Sequence, residues 1–292
     1  MSVISIRKPS VKALPLVFDS PHSGRVYPPE FDYACDFNLL ERAEDRFVEE
    51  LFAAVPEYGA VFLAAEFPRS FVDVNRAIDD IDPQILDGAW GGDFAINPTA
   101  RSDAGIGLIR RLIKPGIPLY KSKLSSAEVM RRIEEYYRPY HTALADLIED
   151  AHYRFGQVFH INCHSMPAAT AVPKRPIGLW GSRSKAVDFV LGDRDGTTCD
   201  PAFTRAVKKF VESMGYSCTI NDPFKGVALV AEYSNPLRGY HSLQIEVNKA
   251  LYMDEETCEQ NAGFARVQAD IERLIGFIAE YVAGRLVSVA AD

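Results

Sequence analysis

The sequence has 292 residues, of which 47% are hydrophobic and 25% charged, a balance typical of a globular protein with a sizeable core. Its formal net charge of −8 at pH 7 argues against nucleic acid as a partner, because such binding depends on Lys and Arg neutralising phosphates. We find no apolar run long enough for a membrane helix and no signal-peptide core, so a cytoplasmic protein is expected. The five cysteines include no CxxC pair, which predicts neither disulfides nor a thiolate zinc cluster.

The first half of the chain alternates predicted strands and helices. Leu14–Phe18 is a short apolar run closed by turn-forming residues, which predicts a buried strand ending in a loop. Apolar residues at helical spacing predict a helix over residues 39–55, and 59–65 again predicts a strand. A capping-box pattern opens a long helical stretch over 125–154, which Pro139 is expected to kink or split.

The second half repeats this alternation. Short apolar runs predict further strands over 157–163, 187–191, 216–220 and 243–247. Asp200-Pro201 and Gly215 mark the two ends of one helix, and a second helix is predicted from Glu255 to about Arg285. The alternation predicts an α/β fold with a mixed, mainly parallel central sheet flanked by helices. Because we find no repeat and no linker, a single domain over 1–292 is expected.

Two histidines follow predicted strands closely. His22 lies just beyond the first strand, and His164 ends the run from Phe159. Strand alternation places Asn162 and His164 on one face and Cys163 on the other, which argues against a thiolate mechanism that pairs Cys163 with His164. Active sites of such sheets collect beyond the carboxyl ends of strands, so both histidines are candidate metal ligands. A surface or capping role is the alternative for His22.

One carboxylate lies inside an otherwise apolar strand pattern. In Leu243 to Asn248 the apolar residues share one face, and Glu246 lies on the other. A carboxylate on a buried strand costs several kcal/mol unless it is paired or functional. The alternatives are therefore a structural salt bridge and a catalytic role.

Cations are concentrated in three polar segments. Arg69 and Arg76 lie close to Asn75, and a guanidinium suits the planar geometry of a carboxylate substrate. Arg194 and Lys225 lie in two loops rich in turn-forming residues. Such loops often hold substrate, and plain turn chemistry is the alternative.

Seven segments in order resemble the N-formylglutamate amidohydrolase family, and they extend from residue 18 to 255. The segments are FDSPHSGRVYP, EDRFVEELF, FPRSFVDVNR, INCHSMP, GDRDGTTC, NDPFKG and HSLQIEVNKALYMDE. The resemblance implies hydrolysis of N-formyl-L-glutamate to formate and L-glutamate, the last step of one route of histidine degradation. It also implies a fold similar to that of zinc carboxypeptidases and aspartoacylases.

The resemblance further implies one Zn²⁺ held by three residues. His22 and His164 match the two zinc histidines of these relatives in order. The relatives place a glutamate ligand three residues after the first histidine, where this chain has Arg25. We therefore expect the third ligand to be Asp45, with Glu44 as the second choice.

The remaining roles also follow from the resemblance. Glu246 is the expected general base, and Arg76 is expected to stabilise the oxyanion or to bind a carboxylate of the substrate. Further substrate contacts are expected from Arg69, Asn75, Arg194 and Lys225. The substrate would be a small anionic amino-acid derivative, and the sequence predicts no particular oligomeric state. Alternatives are an amidohydrolase of another N-acyl amino acid or short peptide and a non-catalytic anion-binding protein of the same fold.

Overall fold

The computed structural model describes residues 2–174 and 185–289. The strands of this part are β1 (Ile4–Arg7), β2 (Leu16–Ser20), β3 (Val61–Ala65), β4 (Leu112–Lys114), β5 (Ile117–Pro118), β6 (Val158–Met166), β7 (Phe189–Gly192), β8 (Cys218–Ile220) and β9 (Tyr240–Asn248). Its α-helices are α1 (Phe37–Ala43), α2 (Val48–Leu51), α3 (Ala100–Asp103), α4 (Ser126–Arg132), α5 (Arg138–Phe155), α6 (Pro201–Ser213), α7 (Ala228–Glu232) and α8 (Phe264–Val289).

Backbone contacts divide the chain into two compact units whose ranges alternate along the sequence. The first unit consists of Met1–Ser5, Pro21–Arg46 and Ala64–Leu144. The second unit consists of Ile6–Ser20, Phe47–Leu63 and Ala145–Asp292. The single-domain organisation stays a prediction from the sequence.

A seven-stranded sheet has the order β1-β3-β2-β6-β9-β7-β8. Strand β6 runs parallel to both β2 and β9, and β7 runs parallel to β8. Only the β7–β9 pairing among these is antiparallel. The predicted mixed, mainly parallel sheet is therefore confirmed, and each predicted strand has a counterpart whose bounds differ by no more than three residues.

The core of the second unit lies on one face of β6 and β9. Alternation along these strands sends apolar side chains to that face, where they join buried residues of α6 and α8. These strand residues are Phe159, Ile161, Cys163, Leu243, Ile245 and Val247. Each large apolar side chain buried in this way contributes roughly 1.5–3 kcal/mol. The opposite face is consequently left to the polar residues of the same strands.

The helix predicted over residues 39–55 is wrong in its middle. Helix α1 ends at Ala43 and α2 begins at Val48, and Glu44 and Asp45 are buried in the break. Phe47, just before α2, has a left-handed φ of 66°, which is costly for a bulky side chain. Apolar spacing reports which residues are buried. It does not report whether the backbone hydrogen bonds of a helix continue past two buried carboxylates.

The long helical stretch that starts after residue 125 has its expected start. The Ser125 hydroxyl accepts a hydrogen bond from the Glu128 backbone N–H at 3.1 Å, as a helix N-cap should. A five-residue π-helical turn, Ile133–Tyr137, joins α4 to α5 just before Pro139, whose missing N–H interrupts regular α-helical bonding.

The final helix begins at Phe264 instead of Glu255. No helix of the described ranges, α8 included, is apolar enough over sufficient length to cross a membrane.

Candidate active site

His22 is buried in the loop after β2 and has a defined tautomer. Its Nε2 lies 2.6 Å from Asp73 Oδ1, and a carboxylate can only accept, so Nε2 carries the proton. In the neutral imidazole Nδ1 is then the nitrogen with the lone pair, and it lies 3.5 Å from Asp45 Oδ2. Gly24 permits this loop path, because a Cβ at that position would come within 2.4 Å of the Phe67 carbonyl oxygen.

Asp45 is brought to His22 by the break between α1 and α2. The Asp45 backbone N–H donates to the His22 carbonyl oxygen at 3.0 Å. Glu44, the second choice for a ligand, instead accepts a short hydrogen bond from the Tyr27 hydroxyl. Burial raises the pKa of Glu44 to about 7. The geometry around Glu44 is that of a buried carboxyl–phenol pair.

Asp73 is the centre of a cluster of cations. Arg69 Nη2 lies 2.9 Å, Arg110 Nη2 3.6 Å and Arg76 Nη2 3.8 Å from Asp73 Oδ2. Burial alone would raise the pKa of the Asp73 carboxyl, but Arg69, His22 and Arg76 outweigh burial and hold that pKa well below its usual range. Asp73 is therefore ionised and fixes His22 and Arg69 at once.

Asn75 and Arg76, the pair predicted to contact substrate, are both buried beside Asp73. The Asn75 backbone N–H donates to Asp73 Oδ1 at 3.1 Å. Arg76 donates from Nε to the Ile106 carbonyl oxygen and from Nη1 to the Asn75 carbonyl oxygen. These contacts hold the Arg76 guanidinium in one orientation.

His164 is oriented by a chain of hydrogen bonds along the polar face of β6. Its Nε2 lies 2.7 Å from the Asn162 side-chain oxygen, and the Asn162 amide donates in turn to Asp19 Oδ1 at 2.7 Å. Because the Asn162 oxygen accepts, Nε2 of His164 carries a proton, and in the neutral imidazole Nδ1 is the nitrogen with the lone pair. The asparagine at position 162 thus performs the orienting function that a carboxylate usually has beside a metal-binding histidine.

Glu246 lies beside His164 on the neighbouring strand. The two residues are direct partners in the β6–β9 alignment, and adjacent strands are about 5 Å apart. The Gln244 amide donates to Glu246 Oε1 at 2.8 Å, and both side chains are buried. The predicted polar face of β9 is confirmed, and it brings a carboxylate next to a candidate metal ligand.

His22, Asp45 and His164 form a group that could hold a metal ion. Each offers one ligand atom, these atoms lie within 4.8 Å of one another, and all three residues are buried. Two imidazoles and one carboxylate form a common ligand set of catalytic zinc sites. Because Asp73 and Asn162 accept from Nε2, Nδ1 is the nitrogen with the lone pair in each neutral histidine, and this donor chemistry fits a divalent metal.

Arg194 and Lys225 lie in two loops that contact each other. The Arg194 backbone N–H donates to the Lys225 carbonyl oxygen at 2.8 Å, and Lys225 pairs with Asp195 at 2.7 Å. Both side chains are exposed. Their role in substrate binding stays a prediction.

Besides Asp73, which orients His22, sequence reasoning missed three polar residues that order these groups. Asp19 orients Asn162, Gln244 contacts Glu246, and Arg110 joins the cluster around Asp73. A signal existed for Arg110, because Arg110 and Arg111 together interrupt the apolar run from Leu108 to Ile113. The Asp19 contact joins residues far apart in sequence, which no local pattern reports.

Comparison with known proteins identifies relatives of this chain. A family model described as N-formylglutamate amidohydrolase matches residues 14–253. The chain is 30% identical over 251 residues to an N-formylglutamate deformylase of Pseudomonas aeruginosa, covering 83% of this chain and 84% of the relative. An N-formylglutamate deformylase of Pseudomonas putida is 28% identical over 250 residues, covering 83% of each chain.

A solved structure extends the similarity to nearly the full length. The crystal structure of an N-formylglutamate amidohydrolase from Ralstonia eutropha JMP134 is 44% identical to this chain. It matches with a TM-score of 0.90 and covers 97% of this chain and 99% of its own. On these similarities, the chain belongs to the N-formylglutamate amidohydrolase family.

Proposed function

We propose that this chain is a zinc-dependent amidohydrolase that converts N-formyl-L-glutamate to formate and L-glutamate. The observation that carries the proposal is the buried group of His22, Asp45 and His164, with Glu246 aligned beside His164. The substrate is proposed from relatives that are named as N-formylglutamate deformylases. The reaction would be the last step of one route of histidine degradation, in the cytoplasm.

In this proposal His22, Asp45 and His164 hold the metal. A zinc ion held there would supply a Lewis acid, which would polarise the formyl carbonyl and make a nearby water more acidic. Asp73 and Asn162 keep the two imidazoles in the required tautomer. Removing either orienting contact should therefore weaken metal binding before it affects the fold.

Glu246 is proposed to act as the general base. An amide is a poor electrophile, so hydrolysis requires that a water lose its proton as it attacks. Glu246 would accept that proton and pass it to the leaving nitrogen. The Gln244 amide, 2.8 Å from Oε1, holds the carboxylate in place.

The cations are proposed to bind the anionic parts of the substrate. Arg76, fixed by two backbone carbonyls, would stabilise the oxyanion or bind a carboxylate with its remaining N–H groups. Further contacts would come from Arg69, Asn75, Arg194 and Lys225. The substrate is therefore a small dianion, and N-formylglutamate has that charge.

Release of formate from a panel of substrates tests the proposal. With N-formylglutamate, catalytic efficiency should exceed that with N-formylglutamine about thirtyfold or more, since losing one carboxylate leaves a desolvated cation unpaired. Equal efficiency would favour another N-acyl amino acid as substrate. Binding of these anions without any hydrolysis would contradict an enzymatic function and favour an anion-binding protein.

A further inference from the structure

Arg110 is placed beside Asp73 by the backbone around it. The Asp73 N–H donates to the Leu108 carbonyl oxygen at 2.9 Å, and the Leu108 N–H donates to the Asp80 carbonyl oxygen at 2.8 Å. Gly107 permits this close approach, since a Cβ there would lie 2.6 Å from the Asp80 carbonyl oxygen. The position of Arg110 is consequently fixed by main-chain contacts.

The Arg110 guanidinium is buried with few partners. Its side chain is 10% exposed, and among residues 2–174 and 185–289 its Nε has no hydrogen-bond partner. Its contact with Asp73 Oδ2, at 3.6 Å, is longer than a hydrogen bond. Burial lowers the pKa of Arg110 to about 9, so the group is still charged at neutral pH.

Asp73 does not require Arg110 as a counter-ion. The carboxylate already has His22 at 2.6 Å, Arg69 at 2.9 Å and the Asn75 N–H at 3.1 Å. A third guanidinium nearby therefore adds repulsion from Arg69 and little stabilisation. A buried cation that costs stability in this way is typical of a site built to receive an anion.

We infer that Arg110 binds a carboxylate of the substrate and helps to set the preference for a dianionic N-acyl amino acid. The inference rests on the proposed function and deepens it. A carboxylate can accept two parallel hydrogen bonds from one guanidinium, and Arg110 has the donors to make them. Binding would also give the buried guanidinium direct hydrogen bonds, whereas its contact with Asp73 is a longer ion pair at 3.6 Å.

The test compares R110Q with R111Q. Arg111 is the matched control, because it is the next residue and its Nε contacts Asp82 Oδ2 at 2.5 Å instead. For the metal-loaded R110Q enzyme, KM for N-formylglutamate should rise about thirtyfold or more with a smaller change in kcat. R111Q should keep the wild-type KM. The KM of R110K should lie between those of R110Q and R111Q, since an ammonium group keeps the charge and lacks the planar geometry of a guanidinium.

Two amide analogues show which carboxylate Arg110 binds. N-formylglutamine lacks the side-chain carboxylate and N-formylisoglutamine lacks the α-carboxylate. The analogue without the bound carboxylate should lose little efficiency on going from wild type to R110Q, whereas the other should lose as much as N-formylglutamate. An equal loss on all three substrates, or no loss on any, would overturn the inference.

A binding measurement separates this inference from the proposed reaction. Glutarate has two carboxylates and butyrate one, so the wild-type chain should bind glutarate more tightly and R110Q should lose most of that difference. This result would support the role of Arg110 even if N-formylglutamate were not hydrolysed. A glutarate preference that is absent in wild type, or that R110Q retains, would refute it whatever the turnover.

Discussion

At the scale of single residues, the tautomer of His22 determines which ring nitrogen can bind a metal. Asp73 accepts the Nε2 proton at 2.6 Å, and replacing it by Asn should weaken this bond and the positioning of Arg69. We expect Asp73→Asn to lower metal affinity about 10- to 100-fold, measured by competition with a chromophoric chelator. Asp82→Asn, which changes a buried carboxylate paired with Arg111, is the control. Wild-type affinity in Asp73→Asn would contradict the role of Asp73.

Glu246 should be needed for turnover and not for the metal. An amide cannot accept the proton of the attacking water, so we expect Glu246→Gln to lower kcat about 10²- to 10⁴-fold and to keep its metal content. Glu149→Gln, which changes an exposed carboxylate that accepts from the Tyr240 hydroxyl, should retain full activity. If Glu246→Gln kept more than about a tenth of wild-type kcat, the base would have to be another group.

The residues of the candidate site differ in how far the sequence predicted them. Alternation in β6 and β9 placed His164 and Glu246 on the polar face, because side-chain direction in a strand follows directly from position. The orienting contacts of Asp19 and Asp73 were not predictable in this way. They depend on which loop packs beside which strand end, and no local pattern contains that information.

At the scale of elements, the loop after β2 depends on Gly24. A Cβ there would lie 2.4 Å from both the Glu66 carbonyl carbon and the Phe67 carbonyl oxygen, so the backbone would have to shift. We expect Gly24→Ala to lower the free energy of unfolding by about 1–3 kcal/mol and to weaken metal binding through displacement of His22. Gly91→Ala is the control, since its Cβ would meet only ordinary contacts. Urea unfolding and metal titration of both variants test this expectation. Equal unfolding free energies and equal metal affinities in Gly24→Ala and Gly91→Ala would contradict the role of Gly24.

The break between α1 and α2 shows where element prediction from sequence fails. The apolar spacing from residue 39 to 55 was correct as a description of burial, since Leu40, Val48 and Leu51 are all buried. The helix nevertheless stops, and Asp45 bonds through its backbone to His22. Tertiary contacts of the site override local helix preference there.

At the scale of the whole molecule, one buried histidine should make the fold sensitive to acid. Burial lowers the pKa of His241 to about 4, with Arg285 adding to the effect and Asp200 opposing it. Its ordinary value is 6.5, so between about pH 6.5 and 4 the unfolded chain binds the proton more readily. The contribution of neutral His241 to stability is therefore fully present above about pH 6.5 and is lost as the pH falls towards 4.

The variant His241→Gln should reduce this acid sensitivity. Between pH 7.5 and 5, wild type should lose roughly 1–2 kcal/mol more unfolding free energy than His241→Gln, as measured by urea unfolding at each pH. His152→Gln, which removes a histidine stacked on Tyr240, serves as the control. An equal loss in wild type and His241→Gln would exclude His241 as the cause.

The overall charge of −8 opposes the approach of a dianionic substrate, whereas the cluster around Asp73 is rich in cations. Arg69, Arg76 and Arg110 contact a single carboxylate there. Three guanidiniums face the two carboxylates of Asp73 and Asp45, so this cluster differs in the sign of its charge from the molecule as a whole. This contrast is what an acidic protein needs in order to bind an acidic substrate.

Formate release from N-formyl-L-glutamate by one preparation, assayed before chelation, after chelation and after zinc is returned, tests the central claim most directly. With His22, Asp45 and His164 holding the metal, activity should fall at least about a hundredfold on chelation and recover with about one zinc per chain, measured by elemental analysis. His164→Ala should neither retain the metal nor recover. Undiminished formate release from a preparation in which elemental analysis finds no metal would contradict the account.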